Sequence, residues 1–568
     1  MKSNYSGRIR FVSICILIFA FLLIGRLYVL QIVDNDFYLN KADRQYSSSS
    51  IKIFDRGTIF FQNKDGSLVS AATLEAGFII AINPEILKNP EDVYKTLNEI
   101  IPIDHDAFLV KASKLGDPYE EIATHVDSIL GQKVSDLKIP GLEAYKERWR
   151  FYPGGDSASH IIGILGFKGN EYAGRYGLER QYESELVRKD GGYVNFFAEI
   201  FSDIKSVASD VGGSEADIVT SIEPTVQAYL QNILASTTRK WQSDITGGII
   251  MNPGTGEIYA MEVYPTFDLN NPQVEKRVSI FSNPLVENVY EMGSIIKPLT
   301  IAAGIDAGVI TATSTYYDRG FVMINNKKVS NFDGKERGIV SMQDVLSQSL
   351  NVGAAHVQRL LGNKRFTNYM YAFGINTKTG IDLPNESKDL TDNLNSTIDI
   401  DHATASFGQG IALTPIATIR ALAAVANGGV LVNPHIVKTI NYKIGISKDT
   451  AIQRSFPVIK RETSEELSRM LTYSVDKVLA GGMLRMPNYS IAAKTGTAQV
   501  AKERGGGYYE DRILHSFVGY FPSYNPKFII LLYTVNPKGA RFGSETLTTP
   551  FMGIVNFLIN YYEVPPDR

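Results

Sequence analysis

The chain has 568 residues, of which 57 are Lys or Arg, 60 are Asp or Glu, and 44% are hydrophobic. This length suggests about three domains and suffices for a large core, which excludes a wholly disordered or fibrous protein. A formal net charge of −3 gives no electrostatic reason to expect a nucleic-acid partner. The single cysteine excludes an internal disulfide and a cysteine metal cluster.

An apolar segment near the N-terminus, residues 11–33, is long enough for a helix to cross a hydrocarbon core of about 30 Å. Lys2, Arg8 and Arg10 precede it, whereas acidic residues follow it. Because cations favour the cytoplasmic side, we expect a single-pass anchor with residues 1–10 inside and the bulk of the chain outside. A cleaved signal peptide is the alternative, which the length of the apolar run and the lack of a small-x-small site disfavour.

The region that follows the anchor mixes two kinds of pattern. Short alternating apolar runs, such as residues 77–82, alternate with amphipathic helical patterns, such as residues 90–101. This mixture continues from residue 51 to about residue 226 and is typical of an α+β region with irregular connections.

A second soluble region begins where residues 247–251 predict a strand and residues 252–257, rich in Gly and Pro, predict a tight turn. Beyond them, helical patterns such as 415–427 alternate with strands such as 528–535. We therefore place the main domain boundary near residue 240.

The first motif of chemical interest is a Ser-x-x-Lys spacing at Ser294 and Lys297. A serine needs a base to become a nucleophile, and a Lys three residues later on a helix shares its face. Pro298 is tolerated only in a first helical turn, so Ser294 should lie near a helix N-terminus, where the dipole favours developing negative charge. For Lys297 to act as the base, its pKa must fall through burial or a nearby cation.

The spacing alone is weak, because it recurs at four other pairs. Only Ser294 is preceded by a flexible glycine and followed by a helix-start proline. The other matches are Ser49 with Lys52, Ser135 with Lys138, Ser202 with Lys205, and Ser474 with Lys477.

The second motif is Ser349 and Asn351, within the helix-like stretch 342–361. A hydroxyl and an amide there can relay a proton and grip a peptide group, although an ordinary polar pair at a helix end is the competing interpretation. The motif lies 55 residues after Ser294 in the chain.

The third motif is Lys494, Thr495, Gly496 and Thr497, which follows an apolar strand pattern. An edge strand can hydrogen-bond an extended peptide, and Gly496 would let a substrate backbone approach closely. Lys494 and the threonine hydroxyls could hold a terminal carboxylate. On a strand, Lys494 and Thr497 face opposite sides unless the chain bulges, and a turn between strands is the alternative.

The three motifs in this order are the signature of penicillin-recognising serine acyltransferases. Lys replaces His as the base, and no His-x-x-x-His pair or Gly-x-Ser-x-Gly sequence occurs among the 568 residues. A metallohydrolase and a Ser-His-Asp triad are therefore disfavoured, and we expect neither a metal nor another cofactor.

Over nearly its whole length the chain resembles the class B penicillin-binding proteins, which are monofunctional peptidoglycan D,D-transpeptidases. Further segments carry the resemblance, and residues 517–522 and 536–539 among them are most similar to the division-specific members. These segments are residues 55–59, 150–153, 177–179, 186, 191–192, 255–258, 267–270, 407–410, 413–415, 427–429, 517–522 and 536–539.

Two positions depart from the family pattern. Met292 stands where the family commonly has a proline, and Leu350 stands where it commonly has a second serine. Neither change removes a side chain with an assigned chemical role, but both bear on the β-lactam sensitivity that the resemblance implies.

The resemblance implies an α+β multidomain fold. Its parts would be the transmembrane helix at 11–33, an elongated pedestal (dimerisation) domain at 46–235, and a transpeptidase domain at 240–568. The last domain would contain an antiparallel sheet with helices on both faces and a helical subdomain. No glycosyltransferase domain fits ahead of residue 240.

The resemblance also implies the roles of the motif residues. Ser294 would form the acyl-enzyme after Lys297 takes its proton, and Ser349 with Asn351 would return a proton to the departing D-Ala. Backbone N–H groups of Ser294 and Thr497 would hold the oxyanion. The substrate-binding residues would be Lys494, Thr495, Gly496 and Thr497.

The implied setting is septal cell-wall synthesis at the bacterial cell membrane. The expected partners are peptidoglycan stem peptides, β-lactams as covalent inhibitors, a polytopic membrane glycosyltransferase and division proteins. An elongation-specific transpeptidase and a catalytically silent scaffold remain alternatives. The anchor and pedestal disfavour a secreted β-lactamase, and a ten-residue tail disfavours a β-lactam sensor.

Overall fold

A computed structural model describes residue 19 and residues 54–114, 116–168, 171–188, 215–443, 445–450, 456–502 and 507–568. The predicted tail, most of the predicted anchor and residues 191–192 lie outside these ranges. Within the described part of the chain, no helix combines the length and the apolar character that a membrane crossing requires.

The strands range in length from two to fifteen residues. They are β1 (Ile59–Gln62), β2 (Leu68–Ile82), β3 (Glu120–Asp127), β4 (Leu142–Phe151), β5 (Leu165–Lys168), β6 (Glu171–Gly174), β7 (Ala216–Thr220), β8 (Ile245–Met251), β9 (Ile258–Tyr264), β10 (Thr315–Asp318), β11 (Phe321–Ile324), β12 (Lys327–Ser330), β13 (Gly338–Ser341), β14 (Val430–Leu431), β15 (Val437–Tyr442), β16 (Ser447–Asp449), β17 (Phe456–Pro457), β18 (Ala492–Ala501), β19 (Tyr508–Phe521) and β20 (Phe528–Val535).

The sixteen α-helices in the described ranges include eight between β9 and β18. They are α1 (Pro90–Asn98), α2 (His105–Ala112), α3 (Ser128–Asp136), α4 (Ser159–Ile162), α5 (Gly177–Gln181), α6 (Glu183–Leu186), α7 (Pro224–Trp241), α8 (Pro284–Glu287), α9 (Lys297–Asp306), α10 (Met342–Ser347), α11 (Asn351–Leu361), α12 (Asn363–Ala372), α13 (Asp399–Ala405), α14 (Pro415–Ala426), α15 (Arg461–Lys477) and α16 (Gly543–Tyr561).

The first compact unit contains Leu74–Arg150 among the described residues. In it, β2 pairs antiparallel with β3, with Phe78 opposite Val126. The helix α1 starts with Pro90 and buries Val93 and Leu97, which share one face at a spacing of four. These side chains join one hydrophobic cluster, so the unit has a core of its own.

The second compact unit contains Arg56–Thr73 and Phe151–Arg568. Parts of the predicted pedestal, 46–235, therefore lie in this unit. The bounds 46–235 and 240–568 remain predictions. The helix α7 is among these parts, and its Leu230 and Leu234 are buried in a cluster with residues of β8, β9 and β20.

The centre of the second unit is a five-stranded antiparallel sheet in the order β18-β19-β20-β8-β9. Along β20, Ile530 and Leu532 pack with α7 and α16 on one face, whereas Ile529 and Leu531 face a second cluster that includes α9 and α14. A strand that is covered on both faces has a nearly continuous apolar sequence. The sequence of β20, Phe528–Val535, has this character. The predicted sheet with helices on both faces is confirmed.

The predicted strand and turn at residues 247–257 and the predicted helix at 415–427 are confirmed by β8, β9 and α14. One prediction is wrong, because the helix-like stretch 342–361 divides into α10 and α11. Ser349, between them, has a φ of 57°, which a continuing right-handed helix does not allow.

Candidate active site

Ser294 lies in a 3₁₀ turn, Gly293–Ile296, that leads directly into α9. Pro298 occupies the first turn of that helix, as predicted, because the N–H that proline lacks has no intrahelical partner there. The side chain of Lys297 is fully buried, and its Nζ lies 3.0 Å from Ser294 Oγ. The predicted same-face pair is thus within hydrogen-bond distance.

Glycine is required immediately before Ser294. Gly293 has a φ of 62°, and a Cβ there would lie 2.7 Å from the carbonyl oxygen of Thr497. The Ser294 turn and β18 therefore approach each other at backbone distance, which a side chain would prevent.

Ser349 brings two oxygens to the same lysine. Lys297 Nζ donates to the Ser349 carbonyl oxygen at 2.6 Å and lies 3.1 Å from Ser349 Oγ. The left-handed backbone of Ser349 turns both groups inward, and non-glycine residues adopt it rarely. The break between α10 and α11 thus places Ser349 of the second motif in contact with Lys297 of the first.

Lys494, on the edge strand β18, is a second lysine that contacts Ser349. Its Nζ donates to Ser349 Oγ at 2.9 Å and to the Thr495 carbonyl oxygen at 2.8 Å. Its exposed fraction is 5%. Ser294, Lys297, Ser349 and Lys494 therefore form one continuous chain of polar contacts.

The electrostatics of this chain lower the pKa of both lysines. Burial, and then the charge of Lys494, lower the pKa of Lys297 well below its usual value. Burial lowers the pKa of Lys494 to about 7. A neutral Lys297 has a lone pair that can accept the proton of Ser294. Its lowered pKa is what a base at this position requires.

Asn351 occupies a different position from the other predicted residues. It is the first residue of α11, and its Nδ2 donates to the Ser330 carbonyl oxygen at 3.0 Å. This contact holds the side chain against the end of β12, rather than against the two lysines.

The threonines of the third motif follow the alternation of β18. Pairing with β19 is regular from Ala492 to Gln499, so Thr495 and Thr497 face the side opposite to Lys494. Thr497 Oγ1 accepts a hydrogen bond from Gly543 N at the start of α16, at 3.0 Å.

Gly496 is explained by packing within the protein. A Cβ there would lie 2.2 Å from Ser516 Oγ and 2.7 Å from the Met292 carbonyl oxygen. The sequence predicts that Gly496 admits a substrate backbone, whereas in the structure Ser516 and the Met292 carbonyl oxygen occupy the space that a side chain there would need.

Two of the other Ser-x-x-Lys pairs lie in the described part of the chain. Ser474 is buried in α15, where its hydroxyl donates to the Met470 carbonyl oxygen at 3.0 Å and lies 2.9 Å from Ser347 Oγ. Ser135 is exposed in α3. Neither resembles the buried arrangement at Ser294.

Sequence reasoning missed Asn331. Its Oδ1 accepts the Val352 N–H at 3.1 Å and its Nδ2 donates to Asp318 at 2.7 Å, so it supports the N-terminus of α11 directly after Ser349. A single Asn in a loop carries no periodic signal, and only the fold shows its role.

Two family models match the chain. A model of the penicillin binding protein transpeptidase domain matches residues 246–555, which is more than half of the chain. A model of the penicillin-binding protein dimerisation domain matches residues 55–197.

Similar proteins span nearly the full chain. Stage V sporulation protein D of Bacillus subtilis (strain 168) is 28% identical over 97% of this chain and 85% of the relative. Peptidoglycan D,D-transpeptidase FtsI of Buchnera aphidicola is 26% identical over 98% of this chain and 96% of the relative. Penicillin binding protein 3 of Mycobacterium tuberculosis, solved with aztreonam, shares the fold with a TM-score of 0.69 at 20% identity, over 91% of this chain and 98% of that one. With a transpeptidase domain preceded by a dimerisation domain, the chain belongs to the penicillin-binding proteins of class B.

Proposed function

We propose that the protein is a peptidoglycan D,D-transpeptidase that cross-links stem peptides through an acyl-enzyme on Ser294. One observation carries the proposal: the Nζ of a fully buried Lys297, with a strongly lowered pKa, lies 3.0 Å from Ser294 Oγ. The name of the Buchnera FtsI relative supports the reaction type.

In the first half-reaction, Lys297 takes the proton of Ser294 while Ser294 Oγ attacks the carbonyl carbon of the penultimate D-Ala. Two backbone N–H groups, of Ser294 and Thr497, hold the developing oxyanion. The short approach between Gly293 and the Thr497 peptide supports their convergence.

Collapse of the tetrahedral intermediate breaks the C–N bond to the terminal D-Ala. Its leaving amine receives a proton through Ser349, which contacts both lysines. Asn351 assists from the start of α11. An amine of a neighbouring stem peptide then attacks the acyl-enzyme, forms the cross-link and releases Ser294.

Substrate binding is assigned to Lys494, Thr495, Gly496 and Thr497 on the edge strand. An extended donor peptide or a β-lactam adds alongside β18, and Lys494 attracts the terminal carboxylate. The name of a related solved structure, penicillin binding protein 3 with aztreonam, supports β-lactams as ligands of this site.

Septal wall synthesis is the setting we propose, on the resemblance of residues 517–522 and 536–539 to division-specific members and on the FtsI relative. Residues 11–33 anchor the protein in the cell membrane with residues 1–10 inside. A polytopic glycosyltransferase and division proteins are the proposed partners.

The test uses the full chain in membranes, labelled with a fluorescent penicillin and assayed for D-Ala release from a stem pentapeptide. Ser294→Ala should lose both signals because no acyl-enzyme can form. Ser474→Ala, which has the same spacing to a lysine, should keep both. Covalent labelling of a serine in Ser294→Ala would contradict the proposal.

A further inference from the structure

Glu291 lies three residues before Ser294 and is half-buried. Its two carboxylate oxygens lie 3.1 and 3.0 Å from the Tyr508 hydroxyl. One of them also accepts the Gly410 N–H at 3.0 Å. A single carboxylate therefore joins three segments of the second unit that are far apart in the chain.

The segment that contains Gly408 and Gly410 supports the backbone at Gly293, the residue before Ser294. Gly293 N donates to the Gly408 carbonyl oxygen at 3.2 Å. A Cβ at Gly408 would lie 2.2 Å from the Gly293 carbonyl oxygen, so the two backbones are in direct contact. By holding Gly410, Glu291 holds the loop that presses on this turn.

The second segment is the far end of the edge strand. Tyr508 is the first residue of β19 and pairs with Ala501, the last residue of β18. A cavity of about 290 Å³ opens beside this contact, lined by Glu291, Gly410 and Gln499 among others. The Glu291–Tyr508 contact therefore borders the stretch of β18 beyond Thr497.

We propose that Glu291 is a positioning residue that fixes the Ser294 turn and the far end of β18 relative to each other. The inference rests on the proposed function, because its benefit is a constant spacing between the nucleophile and the strand that binds the donor peptide. Glu291 acts through Tyr508 and the loop at Gly408 and Gly410.

The charge state of the pair supports a strong contact. Burial raises the pKa of Glu291, while the hydrogen bonds from Tyr508 and Gly410 oppose that rise. Burial, and then the charge of Glu291, raise the pKa of Tyr508. The Tyr508 hydroxyl thus remains protonated and donates to a carboxylate, which is stronger than a neutral hydrogen bond.

The experiment measures the second-order rate of acylation by a fluorescent penicillin with the full chain in detergent. Glu291→Ala and Tyr508→Phe should each slow acylation by roughly tenfold, as expected for a lost hydrogen bond to a charged group. The double variant should be no slower than Glu291→Ala, because both changes remove the same contact. Glu291→Gln should recover most of the rate, since its amide oxygen still accepts from Gly410 and Tyr508.

Tyr119→Phe is the matched control, because the Tyr119 hydroxyl also donates to a carboxylate, that of Glu121 at 3.1 Å, in the first unit. It should acylate at the wild-type rate. Wild-type acylation by Tyr508→Phe would overturn the inference even if Glu291→Ala failed to fold. Fully multiplicative effects in the double variant would also overturn it.

Ser294→Ala measured in parallel separates the two proposals. If it is unlabelled while Tyr508→Phe acylates normally, only the role of Glu291 is rejected. If it is labelled at a serine, the proposed function falls and this inference falls with it.

Discussion

Ser349 combines a polar side chain with a backbone conformation that serine seldom adopts. Its φ of 57° turns both its carbonyl oxygen and its Oγ to Lys297 Nζ. The left-handed conformation costs roughly 1–2 kcal/mol for a residue with a Cβ. Such local strain is characteristic of residues whose surroundings hold them in place for function.

Replacing Ser349 with Ala and with Gly separates the hydroxyl from the backbone. Both variants should slow penicillin acylation, by about 10²–10⁴-fold, because both lose the proton relay. Ser349→Gly should nevertheless be more stable than Ser349→Ala by about 1 kcal/mol, since glycine adopts the positive φ without strain. Stopped-flow acylation and urea unfolding measure the two effects, and equal stability would contradict the strain.

The two lysines make a prediction about pH. The neutral form of Lys297 is the base, so acylation is present above its lowered pKa and is lost as the pH falls through that value. Removing the charge in Lys494→Met should raise the pKa of Lys297 and move the acidic limb of the acylation profile to higher pH. Lys494→Arg keeps the charge and should leave that limb in place.

The limb position, rather than the absolute rate, is the quantity compared, because both changes also affect substrate binding. A Lys494→Met profile with its acidic limb unchanged or at lower pH would show that Lys494 does not lower the pKa of Lys297.

Among the elements, the contact between the Ser294 turn and its neighbours depends on glycine. Gly293 faces the Thr497 carbonyl, and Gly408 faces the Gly293 carbonyl. The 3₁₀ turn therefore approaches both β18 and the loop after α13 at backbone distance.

Gly408→Ala should destabilise the protein by about 2 kcal/mol or more and suppress penicillin labelling, because its Cβ would lie 2.2 Å from the Gly293 carbonyl oxygen. Gly308 is the matched control: its φ of 70° is also positive, but no atom lies within 4 Å of a Cβ there. Gly308→Ala should cost about 1 kcal/mol from strain alone and keep full labelling. Similar thermal shifts and labelling in both variants would contradict the steric explanation.

At the scale of the whole molecule, the hydrophobic core around the five-stranded sheet includes residues ahead of the boundary predicted near residue 240. Val226, Leu230 and Leu234 of α7 are buried against the sheet. The Gln227 side chain makes two hydrogen bonds to the Met261 backbone of β9, at 3.1 and 2.9 Å. Residues ahead of 240 thus complete the packing of the second unit.

A chain starting at residue 240 should therefore fail to fold, whereas one starting at residue 54 should be labelled by penicillin. Deleting α7 exposes the apolar surface that its three buried side chains cover, each worth about 1.5–3 kcal/mol, and the sum is comparable to a typical net stability. Circular dichroism and labelling of the two purified chains provide the measurement. A cooperative, acylated product from residue 240 would show that α7 is dispensable.

Sequence by itself determined the features that depend on neighbours in the chain. The Ser294–Lys297 pair and the start of α9 at Lys297 follow from helical spacing and from proline, and β20 follows from an apolar run. These features are local, because backbone periodicity and proline geometry act over a few residues.

Tertiary structure alone decided the features that join distant segments. Ser349 meets Lys494 across 145 residues of chain, and Glu291 meets Tyr508 across 217. The break at Ser349 was hidden because the apolar pattern continues through residues 342–361 while the backbone is turned by contacts with Lys297. Burial, which lowers the pKa of both lysines, exists only once the sheet and α9 have packed together.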